Sequence, residues 1–281
     1  MPASNPRAIA KARQLWCDVV ILDLEDAVAP HSKASAREIA VEAVRDGGFG
    51  SRELVVRVNA LGTPWGDEDL AAIAAVSPDA ILLPKVGSGE ALHRAAASLQ
   101  RHTKLWAMIE TPEAIFNLAD ITCAAKMMPF GAFVTGTNDL AKEMRCILDT
   151  KRTALQPALF AIVAAARMNG FDVLDGVFND ISDHDGLAAQ CRQGAEFGFT
   201  GKTLIHPSQV DIANSSFSPS EEDLAQARSV IEAFARPDVA ELSVIQVNGR
   251  MVERLHLEQA LQLVAVSDLI CRQTGNFSCE S

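Results

Sequence analysis

Tyrosine is absent from this chain of 281 residues, and aromatic residues make up only 5% of it. The lack of tyrosine excludes a tyrosine as catalytic acid or nucleophile. Acidic residues outnumber basic ones, and the formal net charge of -11 argues against nucleic acid and anionic membrane surfaces as partners. No Gly-x-Gly-x-x-Gly motif follows an apolar run and no Gly-x-Ser-x-Gly motif occurs, so neither a dinucleotide site nor a nucleophilic serine is supported.

Long hydrophobic runs and closely paired cysteines are also missing. No apolar run approaches the roughly 18 residues that a membrane span needs, and the polar residues after Met1 do not form a signal peptide. The six cysteines are scattered, without a Cys-x-x-Cys pair. We therefore expect a soluble, cytoplasmic protein with no membrane partner, and the 48% of hydrophobic residues suffices for a large core.

Short apolar runs rich in Val, Ile and Leu alternate with longer, Ala-rich helical patterns along most of the chain. The runs occupy residues 18–26, 53–59, 79–86, 104–111, 131–139, 171–179 and 199–207. Because their hydrophobicity is continuous rather than alternating, they are typical of strands covered on both faces, as in a parallel sheet. Repeated strand–helix units indicate an α/β fold, either a doubly wound sheet or a (β/α)8 barrel.

A TIM barrel of eight strands needs one strand more than these runs supply. The first residues, "MPASNPRAIAKAR", are typical of the end of a strand, a turn and a helix. We therefore predict a (β/α)8 TIM barrel whose first strand lies upstream of Met1 and is lacking in this chain. A fold with seven strands is the alternative.

The pattern changes after residue 207. A helix with an acidic first turn comes first, two apolar strands then flank Asn248-Gly249, which is a strong hairpin signal, and a last helix follows. The sequence therefore predicts two parts. They are a TIM-barrel catalytic domain at residues 1–210 and a C-terminal extension of helix, hairpin and helix at residues 211–281.

Polar side chains stand where the predicted strands end, at the edge where active sites of parallel α/β folds collect. A single acid at such a position is simply explained as a helix N-cap, and Asp26 and Asp139 fit that role. Glu110 does not, because glutamate caps poorly and Thr111 follows it. A buried carboxylate costs free energy unless it is paired. The whole set is Asp23, Glu25, Asp26, Arg57, Asn59, Lys85, Glu110, Asn138, Asp139, Asp175, Asn179, Lys202 and His206.

Glu110 and Asp139 end neighbouring predicted strands, and two carboxylates with room for water suit a hard divalent cation. Mg²⁺ takes one or two carboxylates and fills its other positions with water and substrate oxygens. A closed zinc site is excluded, because no His or Cys accompanies the pair at ligand spacing. A general acid/base pair of the glycoside-hydrolase kind is the alternative, and the low aromatic content favours the metal.

Arg57 ends an apolar strand as a fixed cation. Its planar guanidinium can hold a carboxylate or a carbonyl oxygen at two points. An internal salt bridge to Glu25 or Asp26 is the alternative, and the two roles are compatible. A ring of acids, one metal and one arginine suit enolate chemistry, in which cations stabilise charge on oxygen while a carbon–carbon bond forms or breaks.

Eight motifs follow one another along nearly the whole chain: "ASNPRA", "ILDLEDAV", "VRVN", "LLPKV", "MIET", "GTNDLAKE", "GKTLIHPSQV" and "NGRMVERLH". Together they resemble the HpcH/HpaI aldolase–citrate lyase β-subunit superfamily, and within it the CoA-ester lyases that include malyl-CoA lyase and malyl-CoA thioesterase. The resemblance implies a Mg²⁺-dependent (β/α)8 barrel that cleaves or hydrolyses a β-hydroxyacyl-CoA thioester. It also implies a homo-oligomer, a trimer or a hexamer.

The resemblance implies catalytic roles for five of the strand-end residues. Glu110 and Asp139 match the metal ligands of the superfamily. Arg57 matches the arginine that holds the carbonyl oxygen of the thioester enolate or acid. Glu25 and Asp26 match acids that order this arginine and the waters at the metal.

The resemblance also implies where substrate and CoA lie. The backbone of Gly136, Thr137 and Asn138 matches a cradle for the distal carboxylate of the substrate. Three further residues stand in segments that border the CoA nucleotide in such enzymes, namely Arg7, Lys202 and His206. Taken alone, His206 is as well explained as a capping or core histidine.

The predicted hairpin departs from the lyase pattern. Lyases of the superfamily often carry an aspartate there that reaches the active site of a neighbouring subunit, whereas "GRMVERLH" places Glu253 at that position. The longer side chain displaces a general base, and a misplacement of about 1 Å can cost about a hundredfold in rate. Glu253 resembles the thioesterase branch, in which the base activates water. A surface ion pair with Arg250 or Arg254 is the alternative.

Several functions remain open from the sequence. The first is a Mg²⁺-dependent lyase that cleaves the carbon–carbon bond of a β-hydroxyacyl-CoA such as malyl-CoA through an enolate, with Glu253 taking the proton of the β-hydroxyl. The second is a (3S)-malyl-CoA thioesterase that uses the same site to deliver water to the thioester carbon. A citrate lyase β subunit, working in a complex, is a further enzyme hypothesis. A non-catalytic CoA-ester binding or regulatory protein is disfavoured, because a pure binder needs no metal site.

Overall fold

The computed structural model describes residues 1–239 and 242–274. The chain divides into two compact units, Met1–Phe217 and Ser218–Ser281. The boundary falls later than the predicted residue 210, because the helix Val210–Phe217 packs against the helix His184–Phe197 of the first unit.

The first unit is built on a sheet of seven parallel strands. They are β1 (Val19–Asp23), β2 (Glu53–Arg57), β3 (Ala80–Leu83), β4 (Lys104–Ile109), β5 (Phe130–Thr135), β6 (Asp172–Asp175) and β7 (Gly201–Lys202). Neighbours in the sheet are neighbours in the chain, from β1 to β7. A doubly wound sheet reverses its strand order at a switch point. Here the order is not reversed, so every right-handed crossover helix lies on the same face of the sheet. The sheet curls, and the face without helices turns inward.

The inward face of the curled sheet has an apolar cluster of its own. It contains Val19, Ile21, Val55, Ala80, Leu82, Trp106, Met108, Ala132, Val134 and Leu174. Alternate residues of the same strands, such as Val56, Ile81 and Ala107, belong to the larger core beneath the helices. Burial on both faces is the reason that the strand sequences are continuously hydrophobic.

Helices connect the strands and cover the outer face. They are α1 (Pro6–Ala12), α2 (Lys33–Asp46), α3 (Gly66–Val76), α4 (Gly89–Ala96), α5 (Pro112–Phe116), α6 (Leu118–Ala125), α7 (Thr137–Met144), α8 (Gln156–Arg167), α9 (His184–Phe197) and α10 (Val210–Phe217). Thr111 caps α5, its Oγ1 accepting a hydrogen bond from the Ala114 N–H at 3.1 Å. The sequence argument that Thr111 rather than Glu110 is the cap is therefore confirmed.

The first three residues pair with the outer edge of β1. Pro2 lies opposite Asp23 in a parallel bridge. The Ala3 N–H donates to the Asp23 carbonyl and the Asp23 N–H donates to the Met1 carbonyl, each at 2.9 Å. Residues 1–3 thus pair with β1 as the end of a parallel strand would, which the sequence predicts. A complete eighth strand stays a prediction.

The second unit contains α11 (Glu221–Ala235), the antiparallel strands β8 (Val244–Val247) and β9 (Arg250–Glu253), and α12 (Arg254–Thr274). The turn between the strands uses Asn248 and Gly249 at φ of 51° and 80°, a left-handed conformation that these two residue types tolerate best. The apolar cluster of the second unit contains Ala227, Val230, Phe234, Val252 and Ala260. Within residues 1–239 and 242–274, no helix is both long and apolar enough to cross a membrane.

Candidate active site

The candidate site is a cavity of about 440 Å³ at the carboxyl ends of the strands in the first unit. Its wall combines charged groups from β1, β2, β4 and α7 with the segments that follow β6 and β7. The residues that line it include Asp23, Asp26, Arg57, Glu110, Gly136, Thr137, Asn138, Asp139, Val177, Asn179, Thr203, Leu204 and Ile205. The structure thus brings together Arg57, Asp26, the predicted metal pair and the predicted carboxylate cradle.

Arg57 is anchored by Asp23 at two points. Its Nε and Nη2 donate to the Asp23 Oδ1 and Oδ2 at 2.7 and 2.6 Å, because the two residues face each other in the β1–β2 register. Burial raises the pKa of the Asp23 carboxyl, but the hydrogen bonds and charge of Arg57, with the N–H groups of Glu25 and Ala27, hold this pKa below its ordinary value. Asp23 is therefore a fixed anion that sets the direction of the guanidinium.

Glu25 stands between two cations beside the cavity. The Arg57 Nη1 lies 3.1 Å from its Oε2 and the Lys85 Nζ lies 3.3 Å from its Oε1. Burial raises the pKa of the Glu25 carboxyl, and the charge of Arg57 offsets part of that rise. The salt bridge between Arg57 and Glu25, the alternative role considered for Arg57, is present, while Asp26 is exposed at the cavity wall.

Glu110 ends β4 with its residue 1% exposed. Its Oε1 accepts a hydrogen bond from the Lys85 N–H at 2.8 Å. Burial raises the pKa of Glu110 to about 7, with a further rise from the charges of Glu25 and Asp139, against which the Lys85 N–H and Arg57 act. A cation at this point would relieve both causes of the raised pKa.

Asp139 lies in the first turn of α7, where the chain leaves β5. A Cβ on Gly136 would lie 2.3 Å from the Glu110 Oε2, so only glycine lets this turn come so close to Glu110. No side chain caps α7, which leaves its first-turn N–H groups and the positive end of the helix dipole for an anion. Thr137 and Asn138, predicted to form a carboxylate cradle, lie at this helix end.

The donor set at Glu110 and Asp139 fits Mg²⁺. Both residues line the same cavity and both offer hard oxygen donors, while the Lys85 Nζ lies 3.9 Å from the Asp139 Oδ2. In the described parts of the chain, 1–239 and 242–274, no group of three or more His, Cys, Asp or Glu is arranged to hold a metal. Two protein carboxylates with the rest from water and substrate is the arrangement that Mg²⁺ accepts.

Asn138 and Asn179 join two walls of the cavity. Each Nδ2 donates to the Oδ1 of the other residue, at 3.1 Å from Asn138 and at 2.9 Å from Asn179. The pair ties the start of α7 to the segment that follows β6. Asn179 stood among the strand-end residues without a role, and nothing in its local sequence identifies its partner.

The residues expected to border CoA lie outside this cavity. Arg7 is exposed on α1. His206 is exposed and caps a short 3-10 helix, its Nδ1 accepting from the Ser208 N–H at 3.2 Å, which is the capping role left open by the sequence. The side chain of Lys202 is 0% exposed and its Nζ donates to the Asp175 Oδ2 at 2.9 Å and the Gln190 Oε1 at 2.7 Å.

The buried Lys202 ammonium is already bound by protein acceptors, so a direct contact with CoA, as the resemblance implies, would require these hydrogen bonds to break. A long cation at the end of an apolar run has the same sequence pattern whether it faces solvent or the interior.

Glu253 lies in β9 of the second unit and is half-buried. Its backbone N–H donates to the His256 Nδ1 at 2.9 Å. Its role as general base stays a prediction.

Two residues near the centre of the site had no role in the sequence interpretation. Asp23 is the two-point partner of Arg57, and Lys85 contacts Glu25, Glu110 and Asp139 through its backbone and its ammonium. Lys85 has a φ of 51°, a strained value for a non-glycine residue and one that is enriched at functional sites. Their positions at strand ends were visible in the sequence, but the partners follow only from the register.

A curled parallel sheet with carboxylates and an arginine at the carboxyl ends of its strands is the arrangement of a half-barrel or barrel α/β enzyme. The model of the HpcH/HpaI aldolase/citrate lyase family matches residues 1–207, and the chain belongs to this family.

Among individual relatives, a (3S)-malyl-CoA thioesterase of Cereibacter sphaeroides is 42% identical over 96% of this chain and 93% of its own length. An L-malyl-CoA/beta-methylmalyl-CoA lyase of the same organism is 32% identical over 96% of this chain and 93% of its own length. Protein CitE from Mycobacterium tuberculosis, solved in complex with magnesium, acetoacetate and coenzyme A, is 30% identical. It superposes with a TM-score of 0.80 over 95% of this chain and 96% of that chain.

Proposed function

We propose that the chain is a Mg²⁺-dependent enzyme that hydrolyses (3S)-malyl-CoA to malate and free CoA. The observation that carries the proposal is the meeting of Glu110, Asp139 and the anchored Arg57 in one cavity at the strand ends. The 42% identity to a (3S)-malyl-CoA thioesterase over 96% of the chain supports the choice of substrate and of reaction.

Glu110 and Asp139 would hold Mg²⁺ in this proposal. When bound, the ion supplies positive charge that stabilises negative charge developing on a substrate oxygen. Binding also takes the place of the proton that the raised pKa of Glu110 retains below about 7. Gly136 keeps the turn before α7 close enough for both carboxylates to act together.

Arg57 would orient the thioester carbonyl. The Nε and the Nη2 of Arg57 each donate one hydrogen bond to Asp23. A guanidinium has five N–H donors, so donors remain for a substrate oxygen. Because Asp23 and Glu25 hold the guanidinium before substrate arrives, it needs no reorganisation when charge develops on that oxygen.

The start of α7 would receive the distal carboxylate of the malyl group. Uncapped N–H groups at a helix N-terminus bind anions by hydrogen bonding and by the helix dipole. Thr137 and Asn138 lie in this first turn and line the cavity. The paired Asn138 and Asn179 amides line the same end of the cavity.

Glu253 would act as the general base that takes a proton from the attacking water. The proposal rests on the resemblance of the hairpin to the thioesterase branch and on the helix–hairpin–helix form of the second unit. We propose further that the protein is a homotrimer or hexamer in which this hairpin reaches a neighbouring active site, and that Glu25 and Asp26 order Arg57 and the waters at the metal. The curled sheet then forms part of a (β/α)8 barrel.

CoA would lie outside the acidic cavity. Arg7 and His206 are both exposed on the first unit, and exposed cationic or hydrogen-bonding side chains suit the phosphates and the adenine of CoA. A cytoplasmic location remains a proposal from the sequence.

Carbon–carbon cleavage of malyl-CoA is the second candidate. The 32% identity to a malyl-CoA lyase favours it, and the same Arg57 and carboxylates suit the enolate that such cleavage forms. The two reactions differ in what Glu253 deprotonates: water for hydrolysis, or the β-hydroxyl for cleavage.

Incubation of the protein with (3S)-malyl-CoA and Mg²⁺, with the products identified by mass spectrometry, distinguishes these reactions. Malate and free CoA are the products of hydrolysis and are expected. Acetyl-CoA and glyoxylate as products would instead show that the chain catalyses the lyase reaction and would overturn the proposed hydrolysis. An unchanged thioester that nevertheless binds would favour the non-catalytic alternative.

A further inference from the structure

A buried charged cluster lies beneath one wall of the active-site cavity. Asp175, 0% exposed at the end of β6, accepts hydrogen bonds from two cations. The Arg152 Nη1 lies 2.5 Å from its Oδ1 and the Lys202 Nζ lies 2.9 Å from its Oδ2. The side chains of Arg152 and Lys202 are 1% and 0% exposed. We name Arg152, Asp175 and Lys202 the Asp175 cluster.

The Asp175 cluster carries several costs that a purely structural role does not require. It buries two cations against one carboxylate, and apolar residues of similar volume are often as stable as buried ion pairs. The Arg152 Nη2 is buried without a hydrogen-bond partner, and Arg152 adopts a left-handed φ of 52°. Strain and unsatisfied donors of this kind persist where the surrounding structure needs the arrangement.

The cluster holds the first residue of the segment that forms the cavity wall after β6. The Gly176 N–H donates to the Asp175 Oδ1 at 2.8 Å, and the Gly176 carbonyl accepts from the Lys202 Nζ. The Asp175 carbonyl accepts from the N–H and the Oγ1 of Thr203 at 2.9 and 3.0 Å. The side chains of the cluster therefore hold the start of segment 176–179, and the backbone carbonyl of Asp175 holds the start of segment 203–205; both segments bring residues to the cavity.

Gly176 transmits this position to the predicted carboxylate cradle. A Cβ on Gly176 would lie 2.6 Å from the Thr137 Oγ1 and 2.9 Å from the Thr135 carbonyl oxygen. The backbone at Gly176, the first residue of segment 176–179, is thus packed directly on the turn between β5 and α7. At its other end the same segment is joined to α7 by the amide pair of Asn138 and Asn179.

We propose that the Asp175 cluster is a positioning device for substrate binding, which sets the distance between segment 176–179 and the start of α7. Its members touch no reacting atom and act through Gly176. Lys202 holds the Gly176 carbonyl from outside the cavity and does not contact CoA. The inference rests on the proposed function, because the start of α7 is taken there as the site for the acid end of the substrate.

Lys202→Met is the direct test. Asp175 pairs with two cations, so Lys202→Met leaves the Arg152–Asp175 ion pair in place and buries no unpaired charge. The variant is therefore expected to fold. KM for (3S)-malyl-CoA should rise about tenfold or more, and the rise in KM should exceed any fall in kcat, since the proposed carboxylate site at the start of α7 loses its geometry first. Backbone amides of residues 136–140 and 176–179 should exchange with deuterium at least about tenfold faster.

Two further variants separate positioning from stability. Arg152→Met should act in the same direction but more weakly, because Lys202 alone bonds the Gly176 carbonyl; it also serves as the test if Lys202→Met fails to fold. Arg37→Met breaks the pair between the Arg37 Nε and the buried Asp69 Oδ1, 2.6 Å apart and outside the site. It is expected to lower Tm without a change in KM or in exchange at residues 136–140.

Unchanged exchange at residues 136–140 in Lys202→Met would overturn the inference, and so would faster exchange without a rise in KM. If the wild type turns over no (3S)-malyl-CoA, the proposed function fails. The exchange measurement, which needs no substrate, then still decides whether the cluster positions α7.

Discussion

Glu110 shows at the scale of one residue why an apolar strand can end on an acid. Its carboxylate is buried, it lies in the field of Glu25 and Asp139, and it does not cap the helix that follows. These features cost free energy in the protein alone. They become favourable when a divalent cation binds, which is the reason we assign Glu110 to the metal.

The raised pKa of Glu110 predicts a pH dependence of stability in EDTA. Between its unfolded value of 4.5 and about 7 in the folded state, the folded protein holds a proton that the unfolded chain releases. The free energy of unfolding should therefore fall as pH rises through this window. Glu110→Gln should remove that fall, on the order of 2 kcal/mol, as measured by urea denaturation at pH 5 and pH 8.

The exposed Glu113, on the next helix, gives a matched control. Glu113→Gln should lose stability between pH 5 and pH 8 in parallel with the wild type. A Glu110→Gln variant that also runs parallel to the wild type would show that Glu110 titrates normally and that its burial is compensated by protein groups.

Residue roles were predictable from the sequence to different degrees. Glu110 was identifiable because its position and the neighbouring Thr111 together exclude a cap. The two-point partner of Arg57 was not, since Asp23, Glu25 and Asp26 are all near the end of β1 and only the register shows that Asp23 lies opposite Arg57. The burial of Lys202 was equally hidden, because its acceptors come from β6 and α9.

At the scale of elements, the turn between β5 and α7 is the most constrained part of the site. Gly136→Ala would place a methyl group 2.3 Å from the Glu110 Oε2 and 2.4 Å from its Cβ. Either α7 or the Glu110 side chain must move, and a shift of about 1 Å at a catalytic group costs about a hundredfold in rate. We expect that loss in Mg²⁺-dependent turnover of (3S)-malyl-CoA.

Gly201→Ala in β7 is a suitable comparison, because its Cβ would meet only the Leu174 side chain, at 3.3 Å. Its turnover should stay within about threefold of the wild type, a change of less than 1 kcal/mol. Equal losses in the two variants would mean that the site does not depend on the close approach at Gly136.

Element positions followed from the sequence better than their arrangement did. Continuous apolar runs predicted all seven strands of the sheet, since burial on both faces leaves that pattern. The same runs did not separate a curled sheet from a doubly wound one. That difference lies in the order of the strands, which depends on which face each crossover covers.

At the scale of the whole molecule, the proposed oligomer predicts complementation between subunits. Arg57→Ala removes a group of the first unit and Glu253→Gln removes the proposed base of the second. Each homo-oligomer should be inactive. If the hairpin serves a neighbouring site, mixed oligomers formed by co-expression should regain a substantial fraction of wild-type activity, because some sites then contain both native residues.

Activity that stays absent in mixed oligomers of confirmed composition would place Glu253 in its own subunit's site, and an active Glu253→Gln homo-oligomer would place it outside catalysis. Mixing the separately purified variants without subunit exchange gives the baseline. The oligomer size, measured by light scattering, should correspond to three or six copies.

The central claim, that Glu110 and Asp139 hold a magnesium ion on which turnover depends, is tested most directly by the initial rate of (3S)-malyl-CoA consumption. The wild type is compared before EDTA, after EDTA and after Mg²⁺ is restored, with Glu110→Gln alongside. We predict that EDTA abolishes turnover, that Mg²⁺ restores it, and that Glu110→Gln remains at least about a hundredfold slower throughout. A wild-type rate that persists in EDTA, or a Glu110→Gln variant with the full rate, would contradict the account.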